Sequence, residues 1–243
     1  LWSERRRVPV KPEIIFPAIA RKLVRVDAQL GAHSKRVVGV GVAAPLWLGG
    51  WSEFLGAPAG AMQTWKQIDI RERIQAMTPL PVQFAKDTTA ACAAELVVGQ
   101  GKSLRNFLYL FIGTFIGGGL VIDGRLHPGA HGNAGAVGSL PLPSSREEPR
   151  AQLLHKASGL VLEQALRKLG LPAAAAHDAR AASAEAKSAA GDWLAEACPA
   201  LALTVASAAA LLDLDAVVID GSLDRDLIDE VLRRTDTLLS ENI

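Results

Sequence analysis

The chain is predicted to fold as an α/β protein, on three observations. Short runs of buried-type residues (VVGVGV at Val37–Val42, VVID before Gly221) alternate with stretches of helical periodicity. Glycine and other turn formers stand where those strands end. The segment FLYLFIGTFIGGGLVIDGRL reads as strand, glycine turn, strand. Strands alternating with helices, with side-chain-poor turns at the strand ends, make an α/β architecture rather than a bundle or sandwich. At 243 residues the chain can bury one domain or two closely packed lobes.

The elements follow in order. LWSERRRVPV opens inside a strand, so the N-terminal part is expected to be incomplete. From Pro12 to Leu30, apolar residues at Ile15, Ile19, Leu23, Val26 and Leu30 predict a helix, and Val37–Val42 the next strand. The stretch from Pro45 to Trp65 is a loop carrying Trp47, Trp51 and Trp65, suited either to wall a cleft or to plug the core. Asp69–Met77 reads as a short helix, PLPVQFAKD as a turn and a strand ending at Lys86-Asp87, and Thr88–Val98 as a helix of small residues built for close packing. After the glycine hairpin and Pro143, SSREEPR is a turn-prone boundary. Ser158 is placed as N-cap of a helix to Leu169. Ala173–Leu212 is alanine-dense and helical, with breaks expected near Gly191 and Pro199. A last strand, a Gly-Ser turn and a helix close the chain.

Composition excludes several classes. No stretch reaches the roughly 20 uncharged apolar residues of a membrane span, although 49% of residues are hydrophobic. A formal charge of +1 supplies no field for holding nucleic acid. The run Arg5, Arg6, Arg7 adjoins Glu4 and reads as a solvated strand edge. Cys92 and Cys198, in apolar helical contexts and without metal-ligand spacing, read as reduced core thiols of a cytoplasmic protein.

The chemistry is sought around the glycine hairpin. A backbone without Cβ atoms lets N–H groups approach a phosphate or a sugar hydroxyl, and Gly113, Thr114, Gly117, Gly118 and Gly119 form such a turn. It is neither a Walker A nor a GxGxxG crossover, because another strand follows it; a structural β-turn is the other reading. Asp87 ends a strand and opens a helix, where it can take a proton from a hydroxyl attacking a phosphoryl group, or serve as an ordinary cap. Gly221 and Ser222 stand at a helix start able to receive a phosphate or ribose. Asp123-Gly124 is a hairpin turn. His127 and His131 are four apart, but Pro128, Gly129 and Gly132 exclude the helix a metal pair would need, and His155 reads as an exposed or capping residue.

VVGVGVAAP, and the block from WKQIDIRERIQAM through PLPVQFAKDTTAACAAELVVGQGK to the hairpin and LHPGAHGNAGAVGS, resemble in order the ROK family of sugar kinases and sugar-responsive transcriptional regulators. The resemblance implies the actin-like ATPase (ribonuclease H-like) two-lobe fold. Residues 1–105 would be an N-terminal lobe lacking its first phosphate-loop hairpin, and residues 106–243 a C-terminal lobe with the glycine hairpin and alanine-rich helices. It implies that Asp87 is the catalytic base beside the sugar, and that Gly113, Thr114, Gly117 and Gly118 lie at the second phosphate loop. Gly221 would belong to the adenosine-side motif, and Gly132, Asn133, Gly135, Ala136 and Ser139 would line the sugar pocket. The partners it implies are a small sugar and a second copy of the chain as homodimer, with DNA reached only through a helix-turn-helix upstream of Leu1. ATP with magnesium is the implied cofactor, at a site left incomplete by the absent DxGGT loop.

Departures from the family pattern shape the expected function. Lys86 stands where Asn usually precedes the base, and an ammonium cannot both donate and accept as an amide does. Ala136 and Ser139 replace the usual Glu and His, Phe115 replaces a loop glycine, and PLPSSREEPR contains no cysteine, so zinc is not expected. The favoured expectation is a sugar-sensing regulator domain weak or inactive as a kinase; the alternative is an ATP-dependent sugar kinase with Asp87 as base. A purely structural module comes third.

Overall fold

A computed structural model describes residues 11–46, 63–143 and 151–242. The opening strand with Arg5–Arg7, the loop positions Trp47 and Trp51, and the SSREEPR boundary lie outside the described residues. The chain divides into two compact units, Leu1–Asp87 and Thr88–Ile243.

In the first unit α1 (Pro12–Leu30) occupies the predicted span, with a proline in its first turn where no N–H is needed. Strand β1 (Val40–Ala44) pairs in parallel with β2 (Val82–Lys86), from Val40 opposite Val82 to Ala44 opposite Lys86. Between them α2 (Ile70–Gln75) is capped by Asp69, whose Oδ1 accepts from Glu72 N at 2.9 Å. Gln75 fixes the descent into β2: its Nε2 donates to Leu80 O and its Oε1 accepts from Val82 N. Phe16, Trp65, Ile74 and Val82 form the core of this unit, so Trp65 plugs the interior.

The second unit is a four-stranded sheet in the order β5-β4-β3-β6. Its strands are β3 (Phe107–Ile112), β4 (Ile116–Ile122), β5 (Arg125–Leu126) and β6 (Ala216–Gly221). β3 runs antiparallel to β4 and parallel to β6. Asp123 and Gly124 both have positive φ (52° and 70°), the conformation the predicted Asp-Gly turn requires. Alternation sends Phe107, Tyr109 and Phe111 to one face, where they meet Cys92, Ala91 and Leu96 of α3 (Asp87–Val98). α4 (Leu153–Ala157) packs against β4 and α7 (Arg225–Asn242) against β6; α6 (Ala184–Leu212) packs on both helices, and α5 (Gly159–Lys168) on α4 and α6.

Two expectations are corrected in α6. The helix runs unbroken through Gly191 and Pro199 for 29 residues. Proline in a helix interior costs about 3 kcal/mol, but burial of Trp193, Leu194, Ala197, Cys198 and Leu201 around it offsets that local loss. α6 is also long and apolar enough to cross a membrane by length and composition, with mean hydropathy 1.6 over its most apolar stretch, 33% of which is buried. Here it packs against α4, α5 and α7, which makes it a layer of this unit. Both cysteines are buried, as expected, and burial pushes the Cys198 thiol above its ordinary range.

On α7, Glu230 accepts from Arg233 Nε at 2.8 Å and Arg234 Nε at 2.6 Å. Hydrogen bonds from Arg233 and then Arg234 lower its carboxyl from 4.5 to about 2. The folded value lies below the unfolded one, so this contribution is complete above 4.5 and is lost as pH falls toward about 2. The stability of Glu230→Gln, followed by urea titration, should therefore fall less steeply than wild type across that acid range, by under about 1 kcal/mol for a partly exposed pair.

Candidate functional site

The glycine turn between β3 and β4 is held from behind by α5. Gly113 N donates to Phe115 O at 3.2 Å, which closes the turn. Its carbonyls point at the start of α5: Gly113 O accepts from Gly159 N at 2.9 Å and Thr114 O from Leu160 N at 3.0 Å. Those two N–H groups are among the donors a helix leaves unsatisfied at its N-terminus. Ser158 therefore departs from the expected capping role. It stands at the N-cap position but makes no side-chain cap; its buried Oγ accepts from Ile116 N at 3.1 Å. The turn has already met the donors of the helix, and the first residue of β4 takes the hydroxyl instead.

Gly221 reaches the same end of the sheet. It lies opposite Ile112 in the parallel β3/β6 ladder, and Ser222 N donates to Ile112 O at 3.0 Å. A Cβ on Gly221 would sit 2.5 Å from Ile112 O, so only glycine lets the chain turn there without displacing the strand. Gly113, Thr114 and Gly221 are thus brought together, with Thr114 exposed at the tip. An exposed hydroxyl at a glycine turn is a donor set suited to a phosphate oxygen.

Gly117 and Gly118 sit farther along, within β4. A Cβ on Gly117 would lie 2.9 Å from Thr88 Cγ2, and Thr88 Oγ1 donates to Gly118 O at 2.9 Å. One step on, a Cβ on Gly119 would lie 2.4 Å from Cys92 Cβ. These positions are where α3 lies against the strand. Gly135 comes within similar reach: a Cβ there would stand 2.8 Å from Gly119 Cα. Along the Gly132–Ser139 loop Asn133 and Ser139 are exposed, and Gly132 and Ala136 half-buried. Ser139 O accepts from Gln152 Nε2 at 3.4 Å.

Asp87 and Lys86 close the first unit. Lys86 is the last residue of β2 and is buried; Asp87 is exposed as the first residue of α3. Thr88, which bonds Gly118, is the next residue in the chain. His127 and His131 are exposed, and among the described residues no three His, Cys, Asp or Glu side chains gather as a metal-binding group. His155 caps α4, its Nδ1 accepting from Gln152 N at 3.2 Å.

Two polar clusters beside this end of the sheet carry no sequence signal. Tyr109 Oη donates to Asp220 Oδ2 at 3.3 Å, and burial, then the Asp220 charge, pushes the phenol well above its ordinary range. Asp220 Oδ1 also accepts from Gly221 N at 2.8 Å. His177 bridges Ser222 O and Glu163. All of these partners are more than ten residues apart in the chain or depend on a turn geometry, so no local motif announces them.

The sequence matches the ROK family over residues 2–242. A β-glucoside kinase from Listeria monocytogenes is 35% identical over 107 residues, which cover 44% of this chain and 36% of that protein. The chain thus spans about a third of the length of that curated relative. Among solved structures, the Lmo2764 protein from Listeria monocytogenes is 26% identical with a TM-score of 0.60, covering 92% of this chain and 79% of that one. A ROK family transcriptional regulator, a homolog of the E. coli MLC protein, has 20% identity and a TM-score of 0.66, covering 94% of this chain and 61% of that one, and so shares the fold. With its alternating elements, glycine hairpin and family match over nearly every residue, the chain belongs to the ROK family and has its actin-like, hexokinase-type α/β fold.

Proposed function

We propose that this chain is the sugar-binding, kinase-like domain of a ROK transcriptional regulator, weak or inactive in phosphoryl transfer. The observation that carries the reading is the Gly132–Ser139 loop. It offers Asn133 and Ser139 to solvent, and at the two positions where the family pattern places a carboxylate and an imidazole it has the methyl of Ala136 and the hydroxyl of Ser139. Phosphoryl transfer depends on positioned charge, so losing two such ligands costs turnover far more than it costs selective binding. In this reading Gly132, Asn133, Gly135, Ala136 and Ser139 line the sugar pocket. Gly113, Thr114 and Gly221 contact a nucleotide, and Gly117 and Gly118 shape the strand behind them.

A second reading, an ATP-dependent sugar kinase, is favoured by the exposed carboxylate of Asp87 at the start of α3 and by the kinase activity named for the β-glucoside kinase. ATP would supply the phosphoryl group; Asp87 would take the proton of the attacking sugar hydroxyl. The exposed Thr114 hydroxyl at the turn tip suits a phosphate oxygen. In either reading we place the protein in the cytoplasm as a homodimer; in the first reading alone, DNA is contacted through a helix-turn-helix outside these 243 residues.

The test is a panel of hexoses and amino sugars. One sugar should raise the melting temperature by about 2–4 °C for each kcal/mol of binding, with no ADP released from ATP. Sugar-dependent ADP release that disappears in Asp87→Asn would replace the first reading with the second. Light scattering that gives a monomer would remove the homodimer.

A further inference from the structure

We propose that His177 is the positioning residue of the Gly221–Asp224 turn, and that it holds the turn as an imidazolium shared between Ser222 and Glu163. The proposal rests on reading that turn as the nucleotide side of the site. His177 Nδ1 lies 2.6 Å from Ser222 O, and its Nε2 lies 3.0 Å from Glu163 Oε1. A peptide carbonyl can only accept a hydrogen bond, and so can an ionised carboxylate. Both ring nitrogens then donate, which only the doubly protonated ring can do. The second oxygen of Glu163 is held by Arg167 Nη2 at 3.0 Å, so the carboxylate is anchored on α5 and cannot follow the ring.

The bridge ties three elements that are distant in sequence: α5 through Glu163, the short 3-10 helix Ala173–His177, and the turn between β6 and α7. A backbone bond reinforces it, Asp224 N donating to Ala176 O at 2.9 Å. Ala176 and Asp224 both line a cavity of about 310 Å³ bounded also by Leu162, Leu194 and Leu227. The tethered turn is therefore one wall of a ligand-sized space as well as the carrier of Gly221. Among the described residues, charged groups near the ring include Glu163, which Arg167 holds on α5, and Asp178, paired with Arg180 just after the ring; Asp224, ahead of α7, meets Ala176 through its backbone N–H.

When pH rises and the ring gives up its proton, Nδ1–H can still donate to Ser222 O. The Nε2 lone pair then opposes the Glu163 carboxylate, and the turn loses its link to α5. A side-chain amide does not titrate, so whatever part of the tether His177→Gln keeps should be independent of pH.

Hydrogen exchange of the Ser222–Asp224 amides, as protection factors at about pH 5.5 and about pH 8.5, tests the latch on either side of the ordinary histidine range. Wild type should lose about tenfold protection at the higher pH, His177→Gln should not, and His177→Ala should be low at both. Nitrogen NMR of the wild-type ring should show two protonated nitrogens at about pH 5.5. A singly protonated ring there, or equal protection in wild type and His177→Ala, overturns the proposal. If His177→Ala does not fold, wild type against His177→Gln decides. Calorimetry with a non-hydrolysable ATP analogue should show weaker binding at about pH 8.5 in wild type only. Should wild type bind no analogue at either pH, the nucleotide reading of the turn falls, and exchange and NMR alone uphold or overturn the latch.

Discussion

Replacing Gly135 with alanine is expected to destabilise the protein by about 2–5 kcal/mol, read as a lower urea midpoint. Two costs add. Gly135 has φ +70°, where a side chain costs about 1–2 kcal/mol, and its Cβ would fall 2.8 Å from both Gly119 Cα and Gly119 N. Neither contact atom is the end of a flexible side chain, so the loop or β4 must shift, and overpacking of that kind costs about 1–3 kcal/mol. Gly132 supplies the control. Its φ is +69°, yet nothing lies within 4 Å of its Cβ position, so Gly132→Ala should carry the conformational cost alone. Equal losses at the two positions would mean that the close approach to β4 contributes nothing.

Ser158→Ala is expected to cost about 1–3 kcal/mol, the usual penalty for stranding a buried donor. The hydroxyl accepts from Ile116 N, and Ser158 is wholly buried, so water cannot step in without opening the site. Because Ser158 also sits where the carbonyls of the Gly113–Thr114 turn meet α5, the change should loosen the turn as well as lower stability. Thermal unfolding reads the first effect. Faster exchange of the Gly159 and Leu160 amides, which donate to that turn, reads the second. Unchanged exchange at both amides with a lower melting temperature would confine Ser158 to β4.

Much of the chain follows from local pattern. α1 begins at Pro12 and ends at Leu30 because its apolar spacing, its leading proline and the glycine after it are all written within one stretch. The Asp123-Gly124 hairpin is equally local, since two residues carry the positive φ values it needs. Pro199 shows where local reading fails: a residue that breaks isolated helices is carried inside α6 by side chains buried against other helices. Ser158 fails the same way, its hydroxyl drawn off to a strand 42 residues away in the chain. At the candidate site the glycines were conspicuous in the sequence, but their surroundings were not. Gly113 and Gly221 stand at a turn end, whereas Gly117, Gly119 and Gly135 are the places where a helix or a loop lies against β4.

From residue order follow the alternation of strands and helices, the family, and the candidates Asp87, the glycine turn and Gly221, because periodicity and turn chemistry act over a few neighbouring positions. Folding assigned the partners. It set the turn carbonyls on α5, the Ser158 hydroxyl on β4 and His177 between Ser222 and Glu163. Hydrogen bonds join groups that meet only when distant segments pack, and nothing in the neighbouring residues records which donor will find which acceptor.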